Sequence, residues 1–305
     1  MSDTTEMITW TRKEATLSRL STEYTDDVIM SLMNKTMDEV LTPLVAASRS
    51  GYWCHTFTRT LGVGNASVRL PPRACPAIEQ VDISCDGVNW RALDEALEAE
   101  AQDWLEDYGR QSYPQAYVIR SSYLHLLPAA SVEGVQLRVK VVVRPNRLVA
   151  AQAGGAIIAV DTDTRTLTLS SLPVSMPGSV ALSIGATYAF DAIEPRGNFE
   201  LSLCDAQGTV IDATHVQIGS AYSLARVEPG DYLRCAEQSE WPQLPQEFHS
   251  IVGSITALPI LRQRDLYERG DKLAGATGNA LSRLREHLTP RVRVQQHKPI
   301  QHNWR

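Results

Sequence analysis

Residues 242–258, PQLPQEFHSIVGSITAL, decide the architecture. Pro245 suits the first turn of a helix, where its missing N–H costs nothing. Phe248, Ile251, Val252, Ile255 and Leu258 then recur at helical spacing and define one apolar face. Pro259 is expected to interrupt that helix. A second helix is predicted over residues 271–287, with Leu273, Ala280, Leu281, Leu284 and Leu288 turned inward. Two such helices leave apolar surface that another helix must cover.

The opposite end of the chain offers that cover. Thr11-Arg-Lys-Glu14 has the form of a capping box. Leu17, Leu20, Tyr24, Val28, Leu32, Val40, Leu41 and Leu44 follow at helical spacing, with Asp26, Asp27, Asp38 and Glu39 on the other side. Pro43 must kink this helix or begin a new one.

Between the ends the period changes to two. Val81, Ile83 and Cys85 alternate with polar residues before an Asp86-Gly87 turn. Residues 92–108, rich in Glu, Leu and Ala, read as a helix stopped by Gly109. Strands are predicted at 117–120, 123–127 and 135–144. From 149 to 240 no helical pattern occurs. Short runs at 156–160, 166–169, 180–184 and 199–203 are separated by turn residues. A hairpin is expected over 199–216, turning at Asp205-Ala-Gln-Gly208, and Pro229-Gly230-Asp231 divides the last two strands. Roughly 90 residues of this kind suit an immunoglobulin-like β-sandwich, without the Cys-Trp-Cys pattern of antibody domains. The expected fold is therefore α+β. A helical bundle is built from 1–70 and 241–290, a β-rich region with one helix spans 71–148, a β-sandwich is inserted at 149–240, and an extended tail covers 291–305.

Composition narrows the function. With 43% hydrophobic and 21% charged residues, the chain resembles an ordinary globular protein with a core of its own. A net charge of -6 gives no basic footprint for gripping nucleic acid, but would let DNA slide past. No apolar run approaches the roughly 20 residues of a membrane-spanning helix. The start, Met1–Glu6, lacks the basic and apolar regions of a signal peptide. Cys54, Cys75, Cys85, Cys204 and Cys235 are odd in number and widely spaced, which suggests buried free thiols in a reducing cytoplasm.

No Gly-x-Ser-x-Gly, phosphate-binding Gly-Lys loop or His-Glu-x-x-His occurs, so no catalytic residue, cofactor or enzyme activity is expected. Glu95, Glu98, Glu100 and Asp103 read as a solvated helix face. Asp161-Thr-Asp163 lacks the Gly and distal Glu of a calcium loop and reads as a hairpin turn. Gly62, Gly64 and Gly154-Gly155 belong to loops between strands. His287, His297 and His302 have no cysteine or carboxylate at ligand spacing, so no metal is expected there.

The order of residues 78–148 carries a resemblance. A strand leads to Asp86-Gly87, then Leu93, Asp103-Trp104, Gly109 and Tyr117, then Leu124-His-Leu126 before Pro128, and a long strand ends in Arg144-Pro145-Asn-Arg-Leu148. Leu244-Pro245-Gln-Glu-Phe248-His249 opens the returning helices, with Asp265 and Gly270-Asp271 further on and Pro290-Arg291-Val-Arg293 in the tail. This pattern resembles the head-to-tail adaptor, or connector, proteins of tailed bacteriophages. It covers about two thirds of the chain and leaves out residues 149–240, a region that simpler members lack.

The resemblance implies a non-enzymatic virion protein of the neck, assembled in the host cytoplasm. It implies a homo-oligomeric ring, a dodecamer, seated between the portal protein and a tail or nozzle protein. DNA would pass through its channel without specific binding. The tail would dock in portal clefts through Arg291, Arg293, Lys298, Trp304 and Arg305. Extended, it spans up to about 50 Å, and ordering it would require a groove to receive it. Its few basic groups fit carboxylates of a protein groove better than DNA phosphates. An alternative from the β region alone is a binding module for a tail fibre, a decoration protein or a host-surface glycan.

Overall fold

The computed structural model describes residues 3–19, 21–48, 53–64, 66–71, 73–100, 113–130, 132–151, 155–175, 180–195 and 199–289. Among them, eighteen strands form five sheets, and the α-helices lie near the two ends of the chain. The protein is thus mostly β. It is not a helical bundle carrying an immunoglobulin-like insertion.

The helices are α1 (Thr4–Glu14), α2 (Asp26–Thr36), α3 (Thr42–Ser48), α4 (His249–Gln263) and α5 (Tyr267–Leu288). Helix α1 starts earlier than the Thr11 box predicts. Asp3 is its N-cap and accepts from the Glu6 N–H, while Thr11 is buried inside the helix and donates to the Met7 carbonyl. Thr25 caps α2.

The buried stripe of α2 and its continuation is Ile29, Met33, Met37, Leu41 and Val45, whereas Val28 and Val40 are 39% and 36% exposed. Methionine packs as well as leucine in such a seam, and the i, i+4 row through the two methionines wins.

One π turn, Met37–Leu41, joins α2 to α3, and the Thr42 N–H reaches back to the Met37 carbonyl. Pro43 follows at once and has no N–H to continue the i, i+4 ladder. Pro259, by contrast, lies within α4 without ending it. The helices at the two chain ends share one core, in which Ile29, Met33 and Met37 meet Ile251, Val252, Leu284 and Leu288.

The first β layer is antiparallel: β1 (Cys54–Leu61), β8 (Val135–Val143), β3 (Ala74–Ser84) and β4 (Arg91–Ala92), in that order. Alternation of buried and half-buried residues along β8 turns Val135, Leu137, Val139 and Val141 inward. A second sheet, β2 (Ser67–Arg69), β7 (Tyr123–Leu127), β6 (Ala116–Arg120) and β5 (Asp94–Glu95), shares that core through Leu124, Leu126 and Tyr117. The helix predicted at 92–108 is corrected where it is described. Ala92 belongs to β4, residues 94–95 form β5, and Glu98–Glu100 is one 3-10 turn; residues 101–109 lie outside the described residues.

Among the described residues, 149–240 form no two-sheet sandwich. One sheet runs β10 (Ile157–Asp161), β11 (Thr166–Leu169), β16 (His215–Ile218), β15 (Leu201–Val210), β14 (Thr187–Ile193) and β17 (Tyr232–Cys235). Bulges in the β14–β15 pairing bend it into a half-barrel. Its two edges then meet at one end, where Ile157 N–H donates to the Asp231 carbonyl and Leu233 N–H to the Gly155 carbonyl. Phe190, Leu167, Leu203, Val216 and Leu233 fill the concave side. The turn expected at Asp205–Gly208 is strand instead, and the hairpin reverses at residues 211–214. A short ladder of β12 (Val174–Ser175) and β13 (Val180–Ala181) lies beside it.

Candidate functional site

The chain enters and leaves the curled sheet through two short parallel strands, β9 (Arg147–Leu148) and β18 (Gln238–Ser239). Around this crossing lies the densest polar cluster of the described residues. Its centre is Asp191, fully buried on β14, with Arg73 beside it at 5% exposure.

Arg73 Nη1 donates to Asp191 Oδ2 at 2.7 Å and to Asp205 Oδ1 at 3.1 Å, and its Nη2 donates to the Arg144 carbonyl at 3.0 Å and to Asn146. Asn146 Nδ2 donates to the same Asp191 oxygen at 2.8 Å. The backbone N–H groups of Asp205 and Glu237 complete the carboxylate at 2.7 and 2.9 Å. Asn146 N–H in turn donates to Gln243 Oε1, and Gln243 presents its carbonyl to the Trp53 indole.

Burial works against both charges. It pushes the Asp191 carboxyl up, while Arg73 and the two N–H groups pull it back. For Arg73 burial alone would lower the pKa, but the charges of Asp191, Cys204 and Asp205 raise it overall. Asp191, Cys204 and Asp205 bring ligand atoms within 4.8 Å of one another, which is a spacing a metal ion could use. The guanidinium already stands against both carboxylates, so the position a cation would take is filled. This cluster ties together three bodies of the fold: the first sheet, the curled sheet and the segment leading to α4.

The helices grip the same crossing. Asn34 of α2 makes a paired contact with Leu148, accepting from its N–H at 2.6 Å and donating to its carbonyl at 2.9 Å. Thr4 N–H donates to the Glu240 carbonyl and Thr4 Oγ1 to the Val149 carbonyl. Glu240 pairs with Arg234, both nearly buried. Gly155 has φ +76°, and a Cβ there would collide with the Arg234 guanidinium and the Leu233 carbonyl. The crossing is a buried, closely hydrogen-bonded joint.

The sequence-predicted partner residues, Arg291, Arg293, Lys298, Trp304 and Arg305, lie outside the described residues, as do His297 and His302. Helix α5 carries the chain as far as Leu288. In its last turns Arg285 and His287 are exposed, and His287 packs edge-on against Phe248 at 5.5 Å. Near the start of α5, Arg269 donates to the Glu14 and Lys13 carbonyls, and Arg264 donates to those of Ala15 and Thr16. These two cations close the C-terminal end of α1, where the helix dipole favours them.

Of the other candidates, Glu98 pairs with Arg120 at 2.8 Å. Asp161 accepts from the Asp163 and Thr164 N–H groups as a turn. Gly64 takes φ +80° in a loop. Among the described residues no helix is long and apolar enough to cross a membrane.

The joint was not anticipated from sequence, although one signal points to it. Asp191 interrupts the apolar run Tyr188-Ala-Phe-Asp-Ala-Ile193, and a charge in such a strand is buried with a partner or not at all. The partner, Arg73, is far away in sequence and carries no mark of its own. No protein-family model matches this chain, and no curated protein matches its sequence.

Proposed function

We propose that the protein is a structural subunit of a tailed-phage neck, an adaptor ring between portal and tail that docks through residues 291–305. The observation that carries this reading is the C-terminal arrangement. Leu244-Pro245-Gln-Glu-Phe248-His249 leads through a 3-10 turn, Gln246–Phe248, into the paired helices α4 and α5. These pack on the N-terminal helices, and a basic segment without acidic residues follows. That order is one part of the pattern on which the adaptor resemblance rests, beside residues 78–148. A ring subunit must also transmit load between two partners, and the buried joint suits that demand. It fixes the β layers to each other by charge-assisted hydrogen bonds, and Asn34 and Thr4 tie the helical layer to the same crossing. In such a ring DNA would pass the acidic surface without sticking.

Truncation tests the docking. A chain ending at Thr289 is expected to stay folded and soluble, since its described core ends at Leu288, yet to lose binding to portal rings in a pull-down. Full-affinity docking by the truncated chain would remove the tail from the account.

A further inference from the structure

Strand β1 ends the first sheet, and its outer edge has no strand beside it among the described residues. Its register with β8 is unbroken from Cys54 to Leu61. The Val143 N–H donates to the Trp53 carbonyl, which makes Trp53–Val143 a hydrogen-bonded pair. Such pairs alternate in an antiparallel ladder, so residues 55, 57, 59 and 61 also bond to β8. Thr56, Thr58 and Thr60 therefore turn their backbone N–H and C=O groups away from the sheet. All three are exposed. At the other end of the strand, Trp53 and Cys54 line a small cleft together with Glu200 and Leu201.

Long edges in monomeric proteins are blunted by proline, lysine, bulges or a covering element. This one has no proline, no glycine and no bulge, and one charge, Arg59. We infer that it is a docking edge for the same edge of a second copy of this chain, joined antiparallel about a two-fold axis at Thr58.

The occupant follows from register and charge. Among the described residues the edge strands β4 and β5 have two residues each and β2 has three, and the two edges of the curled sheet bond to each other at one end, so β1 offers the longest unbroken edge. A pair centred on Thr58 places Thr56 opposite the partner's Thr60. Every outward N–H and C=O of the three threonines then meets its complement, and threonine–threonine pairs are favourable across strands. Arg59 falls opposite the partner's Phe57, whose ring is half-buried on the core side, so the arginine stem would cover it without facing a like charge. On the opposite face, one strand further in, Arg138 and Lys140 are already held by Asp82 at 2.8 Å and Glu79 at 3.8 Å. Joining the edges therefore adds no unpaired cation from β8, and the nearest like charges are the two exposed Arg59 side chains, set diagonally across the axis about 7–8 Å apart.

The inference goes beyond the neck reading. A cyclic ring repeats one head-to-tail contact and contains no two-fold one. The pair is therefore a form of the free subunit, and it stands or falls separately from portal docking.

Sedimentation velocity on the full chain over a concentration series tests it. The wild type is expected to pass reversibly from monomer to dimer. Thr58→Pro removes an outward N–H that β8 does not use, and Thr58→Lys sets two ammonium groups face to face across the axis. Each is expected to weaken association at least tenfold, whereas Thr58→Val should leave it unchanged. Circular dichroism matching wild type identifies the folded variants, and if the proline variant misfolds, the lysine and valine variants decide. A wild type that stays monomeric throughout, or folded proline or lysine variants that dimerise as the wild type does, would overturn the inference.

Discussion

Asp191 and Arg73 show what a single residue does in this fold. The pair is buried, and each partner makes the other tolerable. Asp191→Ala leaves Arg73 with the half-exposed Asp205 and strips the acceptor from Asn146 and two backbone N–H groups. A loss of about 3–5 kcal/mol in urea unfolding is expected, and a loss below 1 kcal/mol would mean that the joint is not held by this pair. Asp212 gives a pH signature. The Thr214 N–H, then His215, hold its carboxyl down to about 2 from 3.8. A depressed carboxyl favours the fold above its unfolded value, and that contribution disappears as pH falls from near 3.8 toward 2. The Thr214 amide shift should titrate near the lower value, and a midpoint near 3.8 would contradict the hydrogen bonds described. Thiols differ by place. Burial raises Cys54 to about 11, and Cys204 and Cys235 are buried, whereas Cys85 is exposed. Alkylation at pH 8, read by mass spectrometry, should modify Cys85 before those three. Their free state is legible in the sequence, but the expected burial fails at Cys85, which is exposed. The Asp191 partner was not legible, because an ion pair between distant strands leaves no local pattern.

At the scale of elements, periodicity located most of the structure and misassigned some faces. The strands at 117–120, 123–127, 135–143 and 166–169 and the two C-terminal helices are close to where alternation and helical spacing put them. The N-terminal helix was read one residue out of phase, through Val28 and Val40, because β-branched apolar residues outweighed Met33 and Met37 on simple hydrophobic count. The structure makes that correction testable. Met33→Ala should cost about 2–5 kcal/mol, and Val28→Ala should stay within about 0.5 kcal/mol. Equal losses, measured by denaturant melts, would restore the first phase. Asn34 belongs to the same helix and links it to Leu148 by two hydrogen bonds. Asn34→Ala is expected to destabilise by about 1–3 kcal/mol, since it leaves buried backbone groups unmet. The 205–208 turn was misread because Asp and Gly mark bulges as well as turns. Here Asp205 has φ +49° beside a bulge, and Gly208 fits among Phe190, Val216 and Ile218.

For the whole molecule, alternation identifies strands but not their neighbours. Residues 149–240 read equally well as two packed sheets or one curled sheet, since both bury every second side chain. Long-range pairing chose the latter. The same region is joined to the rest through more than its two crossing strands: Ile193, Phe199 and Leu201 belong to the core of the first two sheets, and Phe199 packs on Trp241 and His249. Replacing 149–240 with a short linker should therefore abolish the sharp thermal transition, because Arg73 and Trp241 would lose their partners.

The central claim is the assembly. Electron microscopy of the full chain mixed with portal rings of a tailed phage is the direct test. Docking as proposed would show a closed ring of twelve copies seated under each portal. Bare portals beside free subunits or pairs would contradict it.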